Sequence, residues 1–136
     1  MQIDPYLFFQ GRAEEALNFY ADALGARIEA IVRFGEMPGT DGPLAEARKV
    51  LHAAIRIGDT LVLASDGEGS GHASFAGFSL SLNARDDADA RRLFDALAKG
   101  GEVRAPLGPT PFSSSFGMVA DRFGVPWMVV VAPAAA

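Results

Sequence analysis

The sequence has no cysteine and only two histidines, His52 and His72. The absence of cysteine excludes disulfide bonds, zinc–thiolate sites, iron–sulfur clusters and a cysteine nucleophile. With so few imidazoles, a metal site would have to depend on carboxylates. The composition therefore excludes a His-rich metal site.

Positive charge is also scarce, with 12 Lys and Arg against 17 Asp and Glu and a net charge of −5. The densest basic cluster, Arg85–Arg92, has Asp86, Asp87 and Asp89 within it. Because phosphate binding needs clustered cations, we expect no nucleic-acid partner.

Long hydrophobic runs are missing as well. The longest, Val125–Ala136, is interrupted by two prolines and is too short to span a bilayer. The N-terminus lacks the positive start and apolar stretch of a signal peptide. These features predict a cytoplasmic protein with no membrane partner.

What is present suits one globular domain over residues 1–136, because 49% of the residues are hydrophobic and 21% are charged. Two segments have helical periodicity. In the first, apolar residues recur between Ala13 and Leu24, and Gly25 follows where a left-handed cap is expected. In the second, they recur between Ala90 and Ala98 and stop at Gly100.

The remaining apolar runs are short and predict strands. They cover residues 3–9, 28–34, 50–57, 60–64, 78–82, 117–120 and 126–131, with a further short strand at Val103. Gly58-Asp59 has the chemistry of a hairpin turn, and Asp121–Gly124 is predicted to join the last two strands.

The order of these elements repeats, which predicts an α+β fold of two tandem βαβββ modules. Module one spans about residues 1–66, a linker 67–74 and module two about 75–132. Each module would form a curved four-stranded sheet with one helix, and the paired sheets would enclose a cleft. An ordinary ferredoxin-like α+β sandwich is the alternative.

Segments along nearly the whole chain resemble the PhnB-like branch of the vicinal oxygen chelate superfamily, which includes glyoxalases, bleomycin-resistance proteins and extradiol dioxygenases. The matching segments are PYL at residues 5–7, NFY at 18–20, LGA at 24–26, FGEMP at 34–38, residues 52–66, FAGFSL at 75–80 and DRFGVPWM at 121–128. The resemblance implies paired βαβββ modules and a homodimer. Some PhnB-like sequences carry a demethylubiquinone methyltransferase label.

The metal-dependent members of the superfamily hold a divalent ion with one side chain from each of four strands, usually His, Glu or Gln. Matching the modules onto this pattern places Pro5, Leu63, Phe78 and Met128 at the four positions. None of these side chains is a suitable ligand, so the resemblance implies that the usual metal centre is absent. We therefore expect no metal and no other cofactor.

The methyltransferase label can be tested on the residues. S-adenosylmethionine enzymes of the common type need a Gly-rich turn between a strand and a helix of a parallel sheet. The candidate, residues 67–71, leads into a predicted strand. This segment is therefore predicted to be a linker between the modules, and we expect no methyltransferase activity.

The first functional hypothesis is a binding protein that holds a small organic molecule in an apolar, metal-free cleft. Strand alternation predicts that eight apolar residues share one side of their sheets. They are Leu7, Phe9, Leu61, Leu63, Phe78, Leu80, Met128 and Val130. Polar residues that could orient a ligand at the rim are Arg33, Glu36, His52, Arg56 and Asp66. Trp127, next to Met128, should point to the opposite side and be buried.

Two other hypotheses remain open. One is a metal-dependent lyase, isomerase or dioxygenase-type enzyme with a non-standard site around His52 and Glu36, or with one of them as general base. The other is a dimeric structural or regulatory module.

Overall fold

The computed structural model describes residues 1–37, 44–67 and 72–133 of the chain. The chain divides into two compact units, Met1–Ala73 and Ser74–Ala136. Each unit contains one four-stranded mixed sheet and one long helix, which confirms the α+β fold with two βαβββ modules. No helix in the described ranges is both long enough and apolar enough to cross a membrane. The assignment of the whole chain to one domain stays a prediction.

The first unit forms a sheet of strand order β1-β4-β3-β2, in which β1 runs parallel to β4 and the other neighbours are antiparallel. Its elements are β1 (Tyr6–Phe8), α1 (Ala13–Leu24), β2 (Arg27–Arg33), a 3₁₀ turn (Phe34–Glu36), α2 (Leu44–Ala47), β3 (Val50–Ile57) and β4 (Thr60–Ser65).

The second unit repeats this topology with the strand order β5-β8-β7-β6 and a parallel pair of β5 and β8. Its elements are β5 (Leu80–Ala84), α3 (Asp87–Ala98), β6 (Glu102–Thr110), β7 (Ser113–Ala120) and β8 (Pro126–Val131).

The helices lie where the periodicity predicts them, because their ends carry clear signals. Helix α1 ends at Leu24 and is capped by Gly25, whose φ of 64° is left-handed and whose amide donates to the carbonyl of Tyr20. Helix α3 begins after Asp86, whose carboxylate accepts a hydrogen bond of 2.8 Å from the amide of Asp89.

Strand ends were harder to predict than helix ends. Strand β1 is shorter than the predicted run 3–9, and β5 begins at Leu80 instead of residue 78. Strand β6 is an edge strand with two prolines and several register shifts, so it lacks the alternation that marks a regular strand. Only Val103 of this strand was predicted.

Candidate functional site

The two faces of the first sheet differ in what covers them. Helix α1 packs on one face with its buried residues Ala13, Ala16, Leu17 and Tyr20. The strand residues on that face, which include Leu7, Ala53, Ile55, Val62 and Ala64, are buried. Their neighbours along the strands point to the other face. We call this the open face of the first sheet, and it carries Tyr6, Phe8, His52, Ala54, Arg56, Leu61 and Leu63.

The prediction that Leu7 and Phe9 share a face with Leu61 and Leu63 is wrong. In the parallel pair of β1 and β4, Tyr6 lies opposite Leu63, whereas Leu7 lies opposite Ala64. Leu7 is therefore under α1. Phe9 follows the end of β1 and is buried, and its ring lies 6.3 Å from that of Tyr20 in α1.

The second sheet corrects the prediction in the same way. Leu80 lies opposite the buried Trp127 on the face under α3, whereas Met128 lies opposite Ser81 and Val130 opposite Asn83. Phe78 precedes β5 and is exposed. Met128 and Val130 therefore share a face, but without Leu80 and Phe78. The predicted burial of Trp127 and its orientation opposite to Met128 are confirmed.

An aromatic cluster stands on the open face of the first sheet. The rings of Tyr6 and Phe8 are stacked with centroids 4.9 Å apart, and they are 38% and 50% exposed. The Tyr6 hydroxyl lies 2.9 Å from Nδ1 of His52, and the two rings are 5.6 Å apart. Strand β4 separates the strands of Tyr6 and His52, so the contact runs across the sheet.

Sequence reasoning included His52 but missed Tyr6 and Phe8. The Tyr-Leu-Phe alternation of β1 was visible, but it is compatible with either face. The pairing of Tyr6 with Leu63 decides which face the aromatic rings occupy.

The polar candidate Arg56 lies at one end of the same open face and is held by an ion pair. Its Nε donates to Glu29 at 2.7 Å, and Arg27 approaches the same carboxylate oxygen at 3.3 Å. The hydrogen bond from Arg56, followed by that from Arg27, lowers the pKa of Glu29. The guanidinium of Arg56 is thus already engaged by a carboxylate.

The candidates Arg33 and Glu36 make structural contacts around the 3₁₀ turn. The Arg33 guanidinium binds both carboxylate oxygens of Glu14, at 3.0 and 2.8 Å, and the carbonyl of Arg48. The hydrogen bond from Arg33 lowers the pKa of Glu14. Glu36 accepts the amide of Arg33 at 3.2 Å. Both side chains stabilise the end of β2.

Asp66 is buried, and its carboxylate accepts hydrogen bonds from two backbone amides. Its Oδ1 accepts the amide of Ala13 at 2.8 Å and its Oδ2 accepts the amide of Val50 at 2.7 Å. The carboxylate therefore ties the first turn of α1 to the first residue of β3.

The residues at the family's metal positions do not fit a metal ion. Leu63 and Met128 do lie on the faces away from the helices, but Tyr6 and Ser81 stand opposite them instead of Pro5 and Phe78. Pro5 precedes β1 and Phe78 precedes β5. The alkyl group of Leu63, the thioether of Met128 and the hydroxyls of Tyr6 and Ser81 are poor ligands for a divalent ion, which prefers imidazole or carboxylate.

The alternative metal site around His52 and Glu36 has no geometric support. In the described part of the chain, no three His, Asp or Glu side chains lie together in a way that could hold a metal ion. The Glu36 carboxylate accepts the amide of Arg33, and the His52 ring contacts the Tyr6 hydroxyl.

A second concave feature lies at one end of the second unit. It is an open depression of about 670 Å³ between the start of α3, the β6–β7 turn and the end of β8. Asp87 accepts hydrogen bonds from the hydroxyls of Ser114 and Ser115, at 2.6 and 2.7 Å, and these bonds lower its pKa. Both serines are part of β7.

The chain is similar to known proteins over nearly its whole length. A model of the 3-demethylubiquinone-9 3-methyltransferase family matches residues 1–130. Protein YjdN of Escherichia coli strain K12 is 36% identical over 140 residues, which are 96% of this chain and 95% of that protein.

Solved structures agree with this match. Protein PA1353 from Pseudomonas aeruginosa is 44% identical with a TM-score of 0.85, over 97% of this chain and 98% of that one. The PhnB protein from Bacillus cereus is 30% identical with a TM-score of 0.81, over 97% of this chain and 100% of that one.

The fold extends to more distant proteins. A glyoxylase/bleomycin resistance protein/dioxygenase domain from Frankia sp. EAN1pec has a TM-score of 0.66 at 16% identity, over 97% of this chain and 95% of that one. The resemblance found in the sequence is thereby confirmed. The chain belongs to the family described as 3-demethylubiquinone-9 3-methyltransferase, the PhnB-like branch of the vicinal oxygen chelate fold.

Proposed function

We propose that this protein binds a small aromatic molecule on the open face of the first sheet, against Tyr6 and Phe8, without a metal ion. The observation that carries the proposal is the stacked pair of Tyr6 and Phe8, which leaves two large aromatic side chains 38% and 50% exposed on a regular strand.

The surroundings of these rings suit an aromatic ligand. Leu63 lies opposite Tyr6, and Leu61 lies further along the same face of β4. Stacked or edge-on aromatic contacts contribute about 0.5–1.5 kcal/mol beyond the burial of apolar area. His52 adds one polar group at the edge of the aromatic surface. Ligand sites are mostly apolar and contain a few polar groups that orient the ligand.

Of the remaining sequence candidates, Arg56 borders this face, but Glu29 holds its guanidinium. Arg33, Glu36 and Asp66 serve the backbone or an ion pair, and Leu7 and Phe9 lie under α1. The proposed site therefore consists of Tyr6, Phe8, His52 and Leu63. The contribution of Met128 from the second sheet stays a prediction.

The test compares Phe8→Ala with Phe112→Ala. Phe112 is a matched control because it is an exposed phenylalanine, 56% accessible, in the second unit. Calorimetric titration with benzoate, benzaldehyde and indole should detect saturable binding to the wild type. Phe8→Ala should weaken binding by about tenfold, the equivalent of about 1.4 kcal/mol, and Phe112→Ala should not change it. Equal affinities in the two variants would refute the site.

The methyltransferase activity in the family's description is not our proposal. Both sheets contain antiparallel pairs, whereas the common S-adenosylmethionine enzymes bind their cofactor at a parallel sheet. The Gly-rich candidate turn at residues 67–71 lies largely outside the described residues. Titration with S-adenosylmethionine provides the check, and we expect no heat of binding.

We also propose that the chain forms a homodimer, as the resemblance implies. The exposed apolar side chains of Met1 and Ile3, which are outside the proposed ligand site, support an apolar contact surface. Light scattering after size exclusion should give twice the mass of one chain. A mass equal to one chain at concentrations where ligand binds would show that the site functions in a monomer.

A further inference from the structure

The contact between Tyr6 and His52 has a direction as well as a distance. A phenol is more acidic than the N–H of a neutral imidazole, and a bare imidazole nitrogen is a stronger acceptor than a phenol oxygen. When His52 is neutral, the tautomer with a bare Nδ1 lets the Tyr6 hydroxyl donate the 2.9 Å hydrogen bond. A neutral imidazole has a single proton, so that proton is on Nε2.

The other neighbours of His52 cannot change this assignment. Val32 lies opposite it in β2, Ala54 follows it on the same face of β3, and Leu63 lies opposite Ala54. These side chains are aliphatic. The hydroxyl of Ser65, which lies opposite Phe8, donates to the carbonyl of Val50 and accepts from the amide of Gly67. Within the described ranges, no group besides the Tyr6 hydroxyl hydrogen-bonds a ring nitrogen of His52. The charged residues Arg27 and Arg56, which lie opposite each other in the sheet, both bind Glu29.

We infer that Tyr6 acts as a positioning residue that holds His52 with Nε2–H as a hydrogen-bond donor, so that the site selects aromatic ligands with a carboxylate or carbonyl oxygen. The inference rests on the proposed function for the identity of the site. Because the His52 ring lies 5.6 Å from the Tyr6 ring of the stacked pair, a ligand can contact both when it has an acceptor oxygen attached directly to its ring.

This specificity would run against the overall charge of the chain. A net charge of −5 attracts ammonium compounds and repels carboxylates at long range. Benzylammonium has the same ring as benzoate but carries only hydrogen-bond donors. Tighter binding of benzoate than of benzylammonium would therefore indicate a hydrogen-bond donor in the site. Benzaldehyde, a neutral acceptor, separates hydrogen bonding from charge.

The tautomer can be measured without a ligand. Long-range ¹⁵N–¹H spectra distinguish a protonated from a bare imidazole nitrogen, and the chain has just two histidines, so His72 is an internal reference. We expect bare Nδ1 and protonated Nε2 for His52 in the wild type and a tautomer mixture in Tyr6→Phe. Tyr20→Phe, which removes the other tyrosine hydroxyl, should leave the pattern of the wild type. A protonated Nδ1 in neutral His52, or identical spectra in wild type and Tyr6→Phe, would overturn the positioning role.

Ligand titrations test the selectivity. In the wild type, benzoate and benzaldehyde should bind more tightly than benzylammonium. Tyr6→Phe keeps the ring, so it should reduce the affinity for benzoate about fivefold while changing that for benzylammonium little. Equal losses for the two ligands, or tighter binding of benzylammonium to the wild type, would overturn the ligand class. If the tautomer is as expected and none of the aromatic probes binds, the proposed function and the ligand class both fail, and the positioning role of Tyr6 stands.

Discussion

The indole nitrogen of Trp127 donates a hydrogen bond of 2.9 Å to Oδ2 of Asp121. Both residues are 3% exposed, and Oδ1 of Asp121 accepts the amides of Phe123 and Val125. The turn between β7 and β8 is thus built around one buried carboxylate, and Trp127 fixes the first part of β8 to it.

Removing the Trp127 side chain should destabilise the protein strongly. We expect Trp127→Ala to lower the free energy of unfolding by about 3–5 kcal/mol, because it leaves a cavity under α3 and an unsatisfied carboxylate oxygen. Met128→Ala, at the neighbouring half-buried position, should cost less. Urea denaturation followed by circular dichroism measures both. A loss below about 1 kcal/mol for Trp127→Ala would contradict this packing.

Asp66 offers a second test of a buried carboxylate. Each of its oxygens accepts one backbone amide, from Ala13 and Val50. Asp66→Asn replaces one acceptor with an amide group that cannot accept, so we expect a loss of about 1–3 kcal/mol. Asp22→Asn makes the same change at an exposed position of α1 and should be near neutral. Equal stabilities of the two variants would show that Asp66 does not tie α1 to β3.

Acid should weaken the second unit through Asp89. Its pKa is lowered by the hydrogen bond from the Arg85 amide first and that from the Arg92 side chain second. A folded pKa below the unfolded value of about 3.9 stabilises the fold above that pH, and this contribution disappears as pH falls through the folded pKa. The difference in melting temperature between wild type and Asp89→Asn should therefore be largest above about pH 5. It should disappear below about pH 3.

A control on the same helix checks that charge alone is not responsible. Asp95→Asn removes the exposed ion pair with Arg91 and should lower the melting temperature little at any pH. A difference between wild type and Asp89→Asn that stays constant from about pH 6 to about pH 2.5 would rule out the linkage.

Two glycines near β6 should respond oppositely to alanine. A Cβ at Gly101 would collide with the carbonyl oxygen of Ala120, which belongs to the backbone and cannot move freely. A Cβ at Gly108 would meet nothing within 4 Å. We expect Gly101→Ala to cost about 1–3 kcal/mol and Gly108→Ala to be tolerated. Equal melting temperatures of the two variants would contradict the close approach of residue 101 to β7.

The sequence predicted the elements well where one face of an element is covered. The bounds of α1, β3 and β8 follow from apolar periodicity and from turn or cap residues such as Gly25 and Gly58. Irregular β6 could not be predicted, since its prolines and register shifts remove the period of two.

The candidate site was harder to predict, because a one-residue error in register exchanges the two faces of a strand. Leu7 and Phe8 are both large and apolar, and only the pairing of β1 with β4 shows that Phe8 and Tyr6 share the open face. The polar candidates failed for another reason. Asp66 and Arg33 are partners of groups distant in sequence, the amides of Ala13 and Val50 and the carboxylate of Glu14, which composition and spacing do not reveal.

Binding on the open face of the first sheet can be mapped residue by residue. Benzoate titrated into uniformly labelled protein should cause saturable chemical-shift changes centred on Tyr6, Phe8, His52 and Leu63. Residues beneath α1 such as Leu17 and residues of the depression in the second unit such as Ser114 should change little. No saturable change at Tyr6 and Phe8, or changes centred on the depression, would contradict the proposed site.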